Sequence, residues 1–245
     1  MSGGKRVVIV GGHGNVALRL ARLIGPSNDV TSIIRTPEHE PDIITTSAKS
    51  LLLSLEDASV SEFTSVFQGK DVVYFSAGAG GRGGPERTKK VDYEGALKVF
   101  DAIEGVRGQK PRLILVSAID VRDPEKVPEW YDEADLDVSK RYRDTLATYV
   151  HWKYEADKNL VQRTAFPWTI LRPSGLSNEP GTGKADIGRT HITRNISRDD
   201  VARTLALLLD RPDAAGLALD LVGGQTPLED GLDTAIKNKV TAWIG

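Results

Sequence analysis

The sequence predicts an α/β fold in which helices cover both faces of one doubly wound parallel sheet. Short apolar runs rich in β-branched residues alternate with longer segments of helical periodicity along the chain, and this alternation is typical of successive βαβ units. Most of the short runs are continuously apolar, as expected for strands that are buried on both faces. The length of 245 residues suits one such domain, residues 1–245, with a full hydrophobic core.

The two kinds of segment can be assigned in order along the chain. The predicted strands are residues 6–10, 30–34, 50–53, 72–76, 112–117, 169–171 and 218–221. The predicted helices are residues 16–24, 60–67, 86–103, 144–163, 198–209 and 227–239.

Two irregular stretches interrupt the alternation. Residues 120–138 carry prolines, acids and aromatic side chains, and residues 174–193 are rich in glycine and polar residues. Each stretch follows a late strand, and open parallel sheets bind their ligands at the carboxyl ends of the strands. We expect these stretches to form the walls and lid of a small-molecule pocket. The alternative is a pair of surface insertions.

The composition excludes several classes of function. Hydrophobic residues make up 40% and charged residues 27%, with a formal net charge of -2, so there is no basic field to attract nucleic acid. The absence of cysteine excludes disulfides, thiolate catalysis and cysteine-ligated metals. The histidines have no metal-ligand spacing, and we predict no metal site.

No apolar run reaches membrane-spanning length and no signal segment is evident, so we expect a cytoplasmic protein without a membrane partner.

A glycine-rich turn follows the first predicted strand. Residues 7–17 read VVIVGGHGNVA, which is a strand, a turn and the start of a helix. Gly11 permits a tight turn, Gly14 lets a pyrophosphate approach the backbone, and Ala17 keeps the helix close to the strand. The helix N-terminus offers free N–H groups to phosphates. The pattern therefore predicts a dinucleotide site built from Gly11, Gly12, His13, Gly14, Asn15 and Val16, in which His13 either contacts phosphate or nicotinamide or faces solvent.

The end of the second predicted strand bears on which dinucleotide is bound. The strand ends in Ile33, Ile34, Arg35 and Thr36, where sites that prefer NAD(H) usually place a carboxylate for the ribose hydroxyls. Arg35 would instead pair with a 2′-phosphate, so we predict NADP(H). Alternatively, Arg35 is a solvated loop charge, and Lys49 or another nearby cation could share the role.

The ordered set of motifs resembles a known family. Beyond the glycine turn, the resemblance covers residues 74–80 (YFSAGAG), 91–96 (VDYEGA), 115–118 (LVSA), 169–176 (TILRPSGL) and 196–202 (ISRDDVA). The chain resembles the atypical short-chain dehydrogenase/reductases, in particular the NAD(P)H-binding group related to NmrA-like proteins and to flavin and biliverdin-IXβ reductases.

The resemblance implies several features of fold and site. The first half of the sheet would have the order 3-2-1-4, with later strands added beyond strand 4. Ser76, Ala77 and Gly78 would line the dinucleotide, and Pro173 and Ser174 would approach its nicotinamide end. Leu55 would pack on the adenine ring, whereas the preceding Ser54 replaces an acid that the family often places near adenine.

A candidate catalytic set lies in the second half of the chain. Hydride transfer to a carbonyl leaves an alkoxide that needs a proton, and a tyrosine beside a lysine can supply it. Tyr149 and Lys153 are spaced to share one helix face, where the lysine charge would favour the phenolate of Tyr149 and could also hold the nicotinamide ribose. Ser117, at a predicted strand end, would hydrogen-bond the substrate oxygen. The ordinary alternative for such a tyrosine–lysine spacing is a surface pair.

These residues predict an NADPH-dependent oxidoreductase that reduces a small carbonyl, quinone-like or flavin-like substrate. A second hypothesis is a non-catalytic NADP(H)-binding redox sensor of the NmrA-like kind. A third, a nucleotide-sugar epimerase or dehydratase, is disfavoured because little chain after Arg172 is left for a sugar-nucleotide lobe. The long predicted helices 86–103 and 144–163 allow either a monomer or a homodimer.

Overall fold

An eight-stranded sheet forms the centre of the computed structural model, which describes residues 4–80 and 83–245. The strands of the described residues are β1 (Arg6–Val10), β2 (Asp29–Ile34), β3 (Lys49–Leu52), β4 (Val72–Phe75), β5 (Arg112–Val116), β6 (Trp168–Pro173), β7 (Leu176–Ser177), β8 (Lys184–Gly188), β9 (Ile196–Ser197) and β10 (Ala218–Pro227). Of these, β7 and β9 form a separate two-stranded sheet. The helices are α1 (Asn15–Ile24), α2 (Glu40–Ile44), α3 (Val60–Phe67), α4 (Gly84–Thr88), α5 (Gly95–Gly105), α6 (Glu133–Thr145), α7 (Ala147–Val161), α8 (Arg198–Leu208) and α9 (Leu228–Lys237).

The sheet has the order β3-β2-β1-β4-β5-β6-β10-β8. All neighbouring strands in it are parallel except β8, which runs antiparallel to β10 at one edge. The predicted order 3-2-1-4, with later strands beyond strand 4, is therefore confirmed, as is the doubly wound α/β class. Because β1 pairs with β2 on one side and β4 on the other, the strand order reverses there and a crevice opens above its carboxyl end.

The hydrophobic core has two layers, one on each face of the sheet. Val7 and Ile9 of β1 pack with the apolar faces of α1, α8 and α9. Val8 and Val10 point the other way and pack with α3, α5 and α7. All four side chains are at most 1% exposed, which explains why this strand is continuously apolar in sequence.

The helix after β4 is interrupted by an unusual segment. Residues Lys89–Glu94, between α4 and α5, form a π-helical turn within the predicted helix 86–103. Such turns are rare and often occur at functional sites. Here the turn carries Asp92, which is 1% exposed.

The second half of the chain contains elements that the sequence did not predict. The stretch 120–138 is not irregular throughout, because α6 begins at Glu133, and the stretch 174–193 contains β7 and β8. The buried residues of α6 are Asp135 and Ser139, so the helix buries polar side chains at positions where periodicity would indicate apolar ones. The predicted helix 144–163 is α7 alone, which is separated from α6 by Leu146.

In the part of the chain that the structure describes, no helix has both the length and the apolar composition needed to cross a membrane.

Candidate functional site

A cleft of about 690 Å³ lies at the carboxyl ends of β1, β4, β5 and β6. It brings together predicted residues that are far apart in sequence, and they come from the glycine turn, the loop after β4, the end of β5, α7 and the loop after β6. The predicted residues that line it are Gly14, Asn15, Val16, Ser76, Ala77, Gly78, Ser117, Tyr149, Lys153, Pro173 and Ser174. The other predicted residues, Gly11, Gly12, His13, Arg35 and Leu55, lie outside its lining.

Close backbone contacts explain the first two glycines of the turn. Gly11 has a φ of 82°, and a Cβ atom there would lie 2.7 Å from the backbone of Ala77. A Cβ atom on Gly12 would lie 2.6 Å from the Cβ of Ser32. The turn therefore fits between β2 and the end of β4 only without side chains at these positions.

The N-terminus of α1 is open to a ligand. Gly14 occupies the N-cap without a side-chain hydrogen bond to the helix, and the first turn holds no acidic residue. The first backbone N–H groups of a helix have no partner within it, and they carry partial positive charge. Because Gly14, Asn15 and Val16 line the cleft, this end of α1 is suited to the phosphates of a dinucleotide.

His13 turns away from the cleft. Its ring stacks on His39 with ring centres 3.6 Å apart, and its Nε2 lies 2.8 Å from Oδ2 of Asp42. These partners follow β2, and a contact of His13 with phosphate or nicotinamide stays a prediction.

Arg35 lies at the end of β2 with its side chain half exposed, at 53%. The sequence suggested that no carboxylate lies near this strand end, but Glu56 approaches from the loop after β3, with Oε1 3.4 Å from Arg35 Nη1. The same oxygen lies 3.2 Å from Nη2 of Arg87, a second cation that sequence analysis missed. Lys49 cannot share the role, because it pairs with Asp29 at the opposite, amino-terminal edge of the sheet.

Leu55 packs against α5 beside the group formed by Arg35, Glu56 and Arg87. A Cβ atom on Gly95 would lie 2.7 Å from Cδ2 of Leu55, and Lys98 donates to the carbonyl of Leu55 at 2.7 Å. The glycine at position 95 therefore makes room for the leucine. A role for Leu55 against adenine stays a prediction.

Lys153 and Tyr149 lie together on α7, but the lysine charge is already paired. Nζ of Lys153 lies 3.3 Å from Oδ1 of Asp92 and donates to the carbonyl of Val116 at 3.3 Å. The Tyr149 ring centre is 5.8 Å from the same nitrogen. The pKa of Tyr149 is raised by burial and by the negative charges of Asp92 and Asp157, whereas the sequence suggested that Lys153 would favour the phenolate. Burial is the main cause of this reversal, and the two carboxylates add to it.

A second tyrosine–lysine pair with the same spacing follows on α7. Nζ of Lys158 lies 5.6 Å from the ring centre of Tyr154, and Tyr154 stacks on Trp243 with ring centres 5.8 Å apart. Neither Tyr154 nor Lys158 lines the cleft. Spacing alone could not distinguish the two pairs, whereas their positions in the fold do.

Ser117 is held by a buried carboxylate that the sequence did not reveal. Its Oγ donates to Oδ2 of Asp157 at 2.8 Å, and both side chains are buried. Burial raises the pKa of Asp157 to about 6, although Arg172, the bond from Ser117 and Lys153 act in the opposite direction. Because the Ser117 hydroxyl donates to Asp157, it offers its lone pairs to the cleft.

Oγ of Ser174, a buried atom in the cleft lining, has no hydrogen-bond partner within residues 4–80 and 83–245, and Oδ1 of Asp92, also without a hydrogen bond there, has only the 3.3 Å ion pair with Lys153. The other carboxylate oxygen of Asp92 accepts from the backbone N–H of Ala79 at 2.9 Å. Because buried polar groups are normally paired, these atoms fit a ligand that carries hydroxyl or amide groups. Together with the open end of α1, they suit a dinucleotide. The resemblance had already singled out residues 91–96, but without a role for Asp92.

Asp120 anchors the first wall of the cleft. It is 1% exposed, has a φ of 56° and follows β5. Its carboxylate accepts hydrogen bonds from Arg122 at 2.7 Å, Ser139 at 2.6 Å and Arg143 at 3.3 Å. These bonds fix the start of the loop and the inner side of α6.

Asp135 joins this first wall, formed by the stretch 120–138, to the second wall, formed by the stretch 174–193. Its carboxylate oxygens lie 2.6 Å from Nδ1 of His191 and accept from the backbone N–H of Ile192 at 2.8 Å. Trp130 adds a bond to the carbonyl of Thr190 at 3.2 Å. Both irregular stretches therefore contribute to the cleft lining, the first through Asp120 and Val138 and the second through Ser174, Gly175, Leu176, Ile192 and Thr193.

These contacts also create a cluster that residue spacing did not indicate. Ligand atoms of Asp132, Asp135 and His191 lie within 4.8 Å of one another. Both oxygens of the buried Asp135 are already engaged in joining the walls. We therefore assign no metal to this cluster.

The sheet, the open end of α1 and the cleft above β1 define a Rossmann-type dinucleotide-binding domain. A family described as NAD(P)H-binding matches residues 11–212. The chain belongs to this NAD(P)H-binding family, which confirms the family predicted from the ordered motifs.

Two curated relatives are similar over nearly their whole length. The UPF0659 protein C216.03 of Schizosaccharomyces pombe is 41% identical over 229 residues, covering 90% of this chain and 91% of the relative. The uncharacterized sugar epimerase YhfK of Bacillus subtilis is 32% identical over 231 residues, covering 93% and 98%.

Solved structures show the same fold. A putative NAD-dependent epimerase/dehydratase from Bacillus halodurans is 29% identical with a TM-score of 0.79, covering 94% of this chain and 100% of that one. Two more distant structures support the fold alone. They are the anaerobillin reductase ChuY of Escherichia coli O157:H7 (20% identical, TM-score 0.69, covering 89% and 97%) and a short-chain dehydrogenase/reductase of Veillonella parvula in complex with NADP (17% identical, TM-score 0.68, covering 91% and 96%).

Replacing Gly14 with valine is expected to weaken binding of NADPH and NADH by about 100-fold or more, because the side chain would occupy the approach to the N-terminus of α1. A Cβ atom at Gly14 would lie 3.2 Å from the carbonyl of Gly11, so the turn needs only a small adjustment. Gly231→Val on α9 is the control, since a Cβ atom there has no neighbour closer than 3.5 Å. Calorimetric titration measures both variants, and full retention of binding by Gly14→Val would remove the phosphate role of the turn.

The Asp157 carboxylate predicts a pH dependence of stability. Its pKa is raised in the folded protein, from 3.8 to about 6, so the protonated form stabilises the fold and this contribution is lost as the pH rises from about 4 to about 6. In that window the free energy of unfolding of the wild type should fall by about 3 kcal/mol relative to Asp157→Asn.

Denaturant unfolding at pH values across this window measures the difference. The exposed Asp137 on α6 provides the control, and Asp137→Asn should follow the wild type at every pH. A constant difference between wild type and Asp157→Asn would show that Asp157 does not titrate in this range.

Proposed function

We propose that this protein is an NADPH-dependent oxidoreductase of the short-chain dehydrogenase/reductase class that reduces a small carbonyl, quinone-like or flavin-like substrate. The observation that carries the proposal is the convergence of Ser117, Tyr149 and Lys153 on one cleft that begins at the open end of α1. Sequence separation between the glycine turn and these residues is large, so their meeting is a property of the fold. The NAD(P)H-binding family supplies the cofactor class.

Each residue has a role that its contacts support. When bound, the reduced nicotinamide would supply a hydride to the substrate. Lys153 and Asp92 form an adjacent donor and acceptor, which suits the two hydroxyls of the nicotinamide ribose. Tyr149 would give its proton to the substrate oxygen, and its raised pKa keeps the phenol protonated at neutral pH. A protonated phenol can act as the proton donor for reduction.

The apolar wall suits the proposed substrates. Val138, Tyr142, Leu146 and Ile192 line the cleft beside Tyr149, and flat, weakly polar molecules would bury their surface against such side chains.

The preference for NADPH rests on the cations at the end of β2. Arg35 and Arg87 share a single carboxylate, Glu56, so the group retains one net positive charge for a 2′-phosphate. The Veillonella parvula structure with the same fold holds NADP.

A redox sensor is the second candidate, and one observation favours it. Lys153 is paired with Asp92, and Ser117 donates to Asp157, so two of the three proposed catalytic groups are satisfied inside the protein. Such a protein would bind NADP(H) without turnover. A sugar epimerase, suggested by the name of YhfK, is disfavoured because β8, β10, α8 and α9 occupy the chain after β6.

Arg35→Gln is expected to weaken NADPH binding by about tenfold and to leave NADH binding unchanged, because only NADPH carries the 2′-phosphate. Calorimetric titration with both cofactors gives the ratio. Arg22→Gln, an exposed arginine near the end of α1, is the control and should bind both cofactors like the wild type. Equal losses for NADPH and NADH in Arg35→Gln would refute the 2′-phosphate role.

Tyr149→Phe is expected to reduce turnover by about 100-fold or more on any substrate found in a panel of carbonyls, quinones and flavins, since the proton donor is lost. NADPH oxidation is followed by its absorbance. Tyr154→Phe, in the second tyrosine–lysine pair, should retain wild-type turnover. Undiminished turnover in Tyr149→Phe would reject the proton-donor role, and tight NADPH binding without wild-type turnover would favour the sensor.

A further inference from the structure

The charged residues of the cleft differ in whether they already have a partner. The charged side chains in its lining are Asp92, Asp120, Lys153 and Arg198. Asp92 pairs with Lys153, and Asp120 is bound by arginines outside the lining. Among residues 4–80 and 83–245, no carboxylate oxygen lies within 4.0 Å of the Arg198 guanidinium. Arg198 is therefore the cleft charge that an anionic ligand could neutralise.

Two hydrogen bonds hold the Arg198 side chain in place. Its Nη1 donates to the carbonyl of Leu176 at 3.3 Å and to Oδ1 of Asn178 at 2.9 Å. Leu176 lies in β7, which pairs with β9 immediately before Arg198. The Arg198 guanidinium is thus hydrogen-bonded to β7, which follows β6 in the chain.

The first turn of α8 lies beside the first turn of α1. Nε of Arg19 donates to Oδ1 of Asp199 at 2.7 Å, and Nη1 of the same residue donates to the carbonyl of Asn15 at 2.9 Å. Arg198, next to Asp199, therefore stands close to the open end of α1. Gly14, Asn15 and Arg198 line the same cleft.

The N-termini of α8 and α1 differ in whether their N–H groups have partners. The N-terminus of α8 is capped by Ser197 and carries Asp199 and Asp200 in its first turn, so its N–H groups and partial charge are already satisfied. The N-terminus of α1 has neither a side-chain cap nor an acid. Oγ of Ser174, which is 5% exposed and unpaired among the described residues, lines the same cleft. An anion at α1 would thus meet the helix end and a fixed guanidinium.

We propose that Arg198 binds the pyrophosphate of the dinucleotide, closing the phosphate site opposite the glycine turn. The inference rests on the proposed function for the identity of the ligand. The turn offers only backbone N–H groups to a pyrophosphate that carries two negative charges, and Arg198 supplies the compensating cation. Because Arg198 also holds Leu176 and Asn178, it links phosphate binding to the second wall of the cleft.

The test compares variants in calorimetric titrations with NADPH and NADH. Arg198→Gln should weaken binding of both by the same factor, about tenfold, because both contain the pyrophosphate. Arg198→Lys keeps the charge but loses the forked geometry and should bind with intermediate affinity. Arg203→Gln, on the same helix outside the cleft lining, is the matched control and should bind like the wild type. Thermal unfolding of each variant checks that it is folded.

The possible outcomes separate this inference from the proposed function. Wild-type affinity for both dinucleotides in Arg198→Gln would overturn the inference. It would instead favour a contact between Arg198 and the acid group of a substrate. A loss confined to NADPH would also overturn it, since the contact would then be with the 2′-phosphate. Absence of dinucleotide binding by the wild type would reject the proposed function and the inference together, whereas binding without turnover would reject the reductase and leave the phosphate role of Arg198 standing.

Discussion

The burial of β1 on both faces is the constraint on which the rest of the structure depends. Its side chains alternate between two helical layers, and its neighbours β2 and β4 lie on opposite sides. The loops that follow β1 and β4 therefore diverge, and the crevice between them leaves the end of α1 uncovered. A side chain at Gly11 or Gly12 would meet the adjoining strands. The glycine turn is thus as much a requirement of packing as of ligand binding.

Burial also determines the charges in the cleft. Lys153 reaches the cleft from α7, and Asp92 meets it from the π-helical turn before α5. An unpaired charge at either position would be costly, so the two side chains stabilise each other. Burial, with Asp92 and Asp157 adding to it, likewise raises the pKa of Tyr149. A local tyrosine–lysine pattern therefore does not by itself determine the pKa of the tyrosine.

The sequence predicted the features that depend on neighbouring residues. The glycine turn and the strands of the central sheet follow from local patterns of apolar residues and glycine, and the strand order followed from the family resemblance. The Ser117–Asp157 and Lys153–Asp92 contacts could not be predicted, because they join residues on different elements. Helix α6 was missed because its buried positions are Asp135 and Ser139. Tyr154 and Lys158 match the spacing of Tyr149 and Lys153, so only the fold shows which pair faces the cleft.

Different residues hold the cleft walls in position and form the surface that the cleft presents to a ligand. Asp120 and Asp135 hold the two wall segments through short hydrogen bonds. The side chains left facing the ligand, such as Val138 and Ile192, are apolar and take no part in those bonds. Replacing one apolar side chain by another would therefore change the contour of the pocket without loosening its frame. In this arrangement, the apolar contour of the cleft can vary while the sheet and the glycine turn remain fixed.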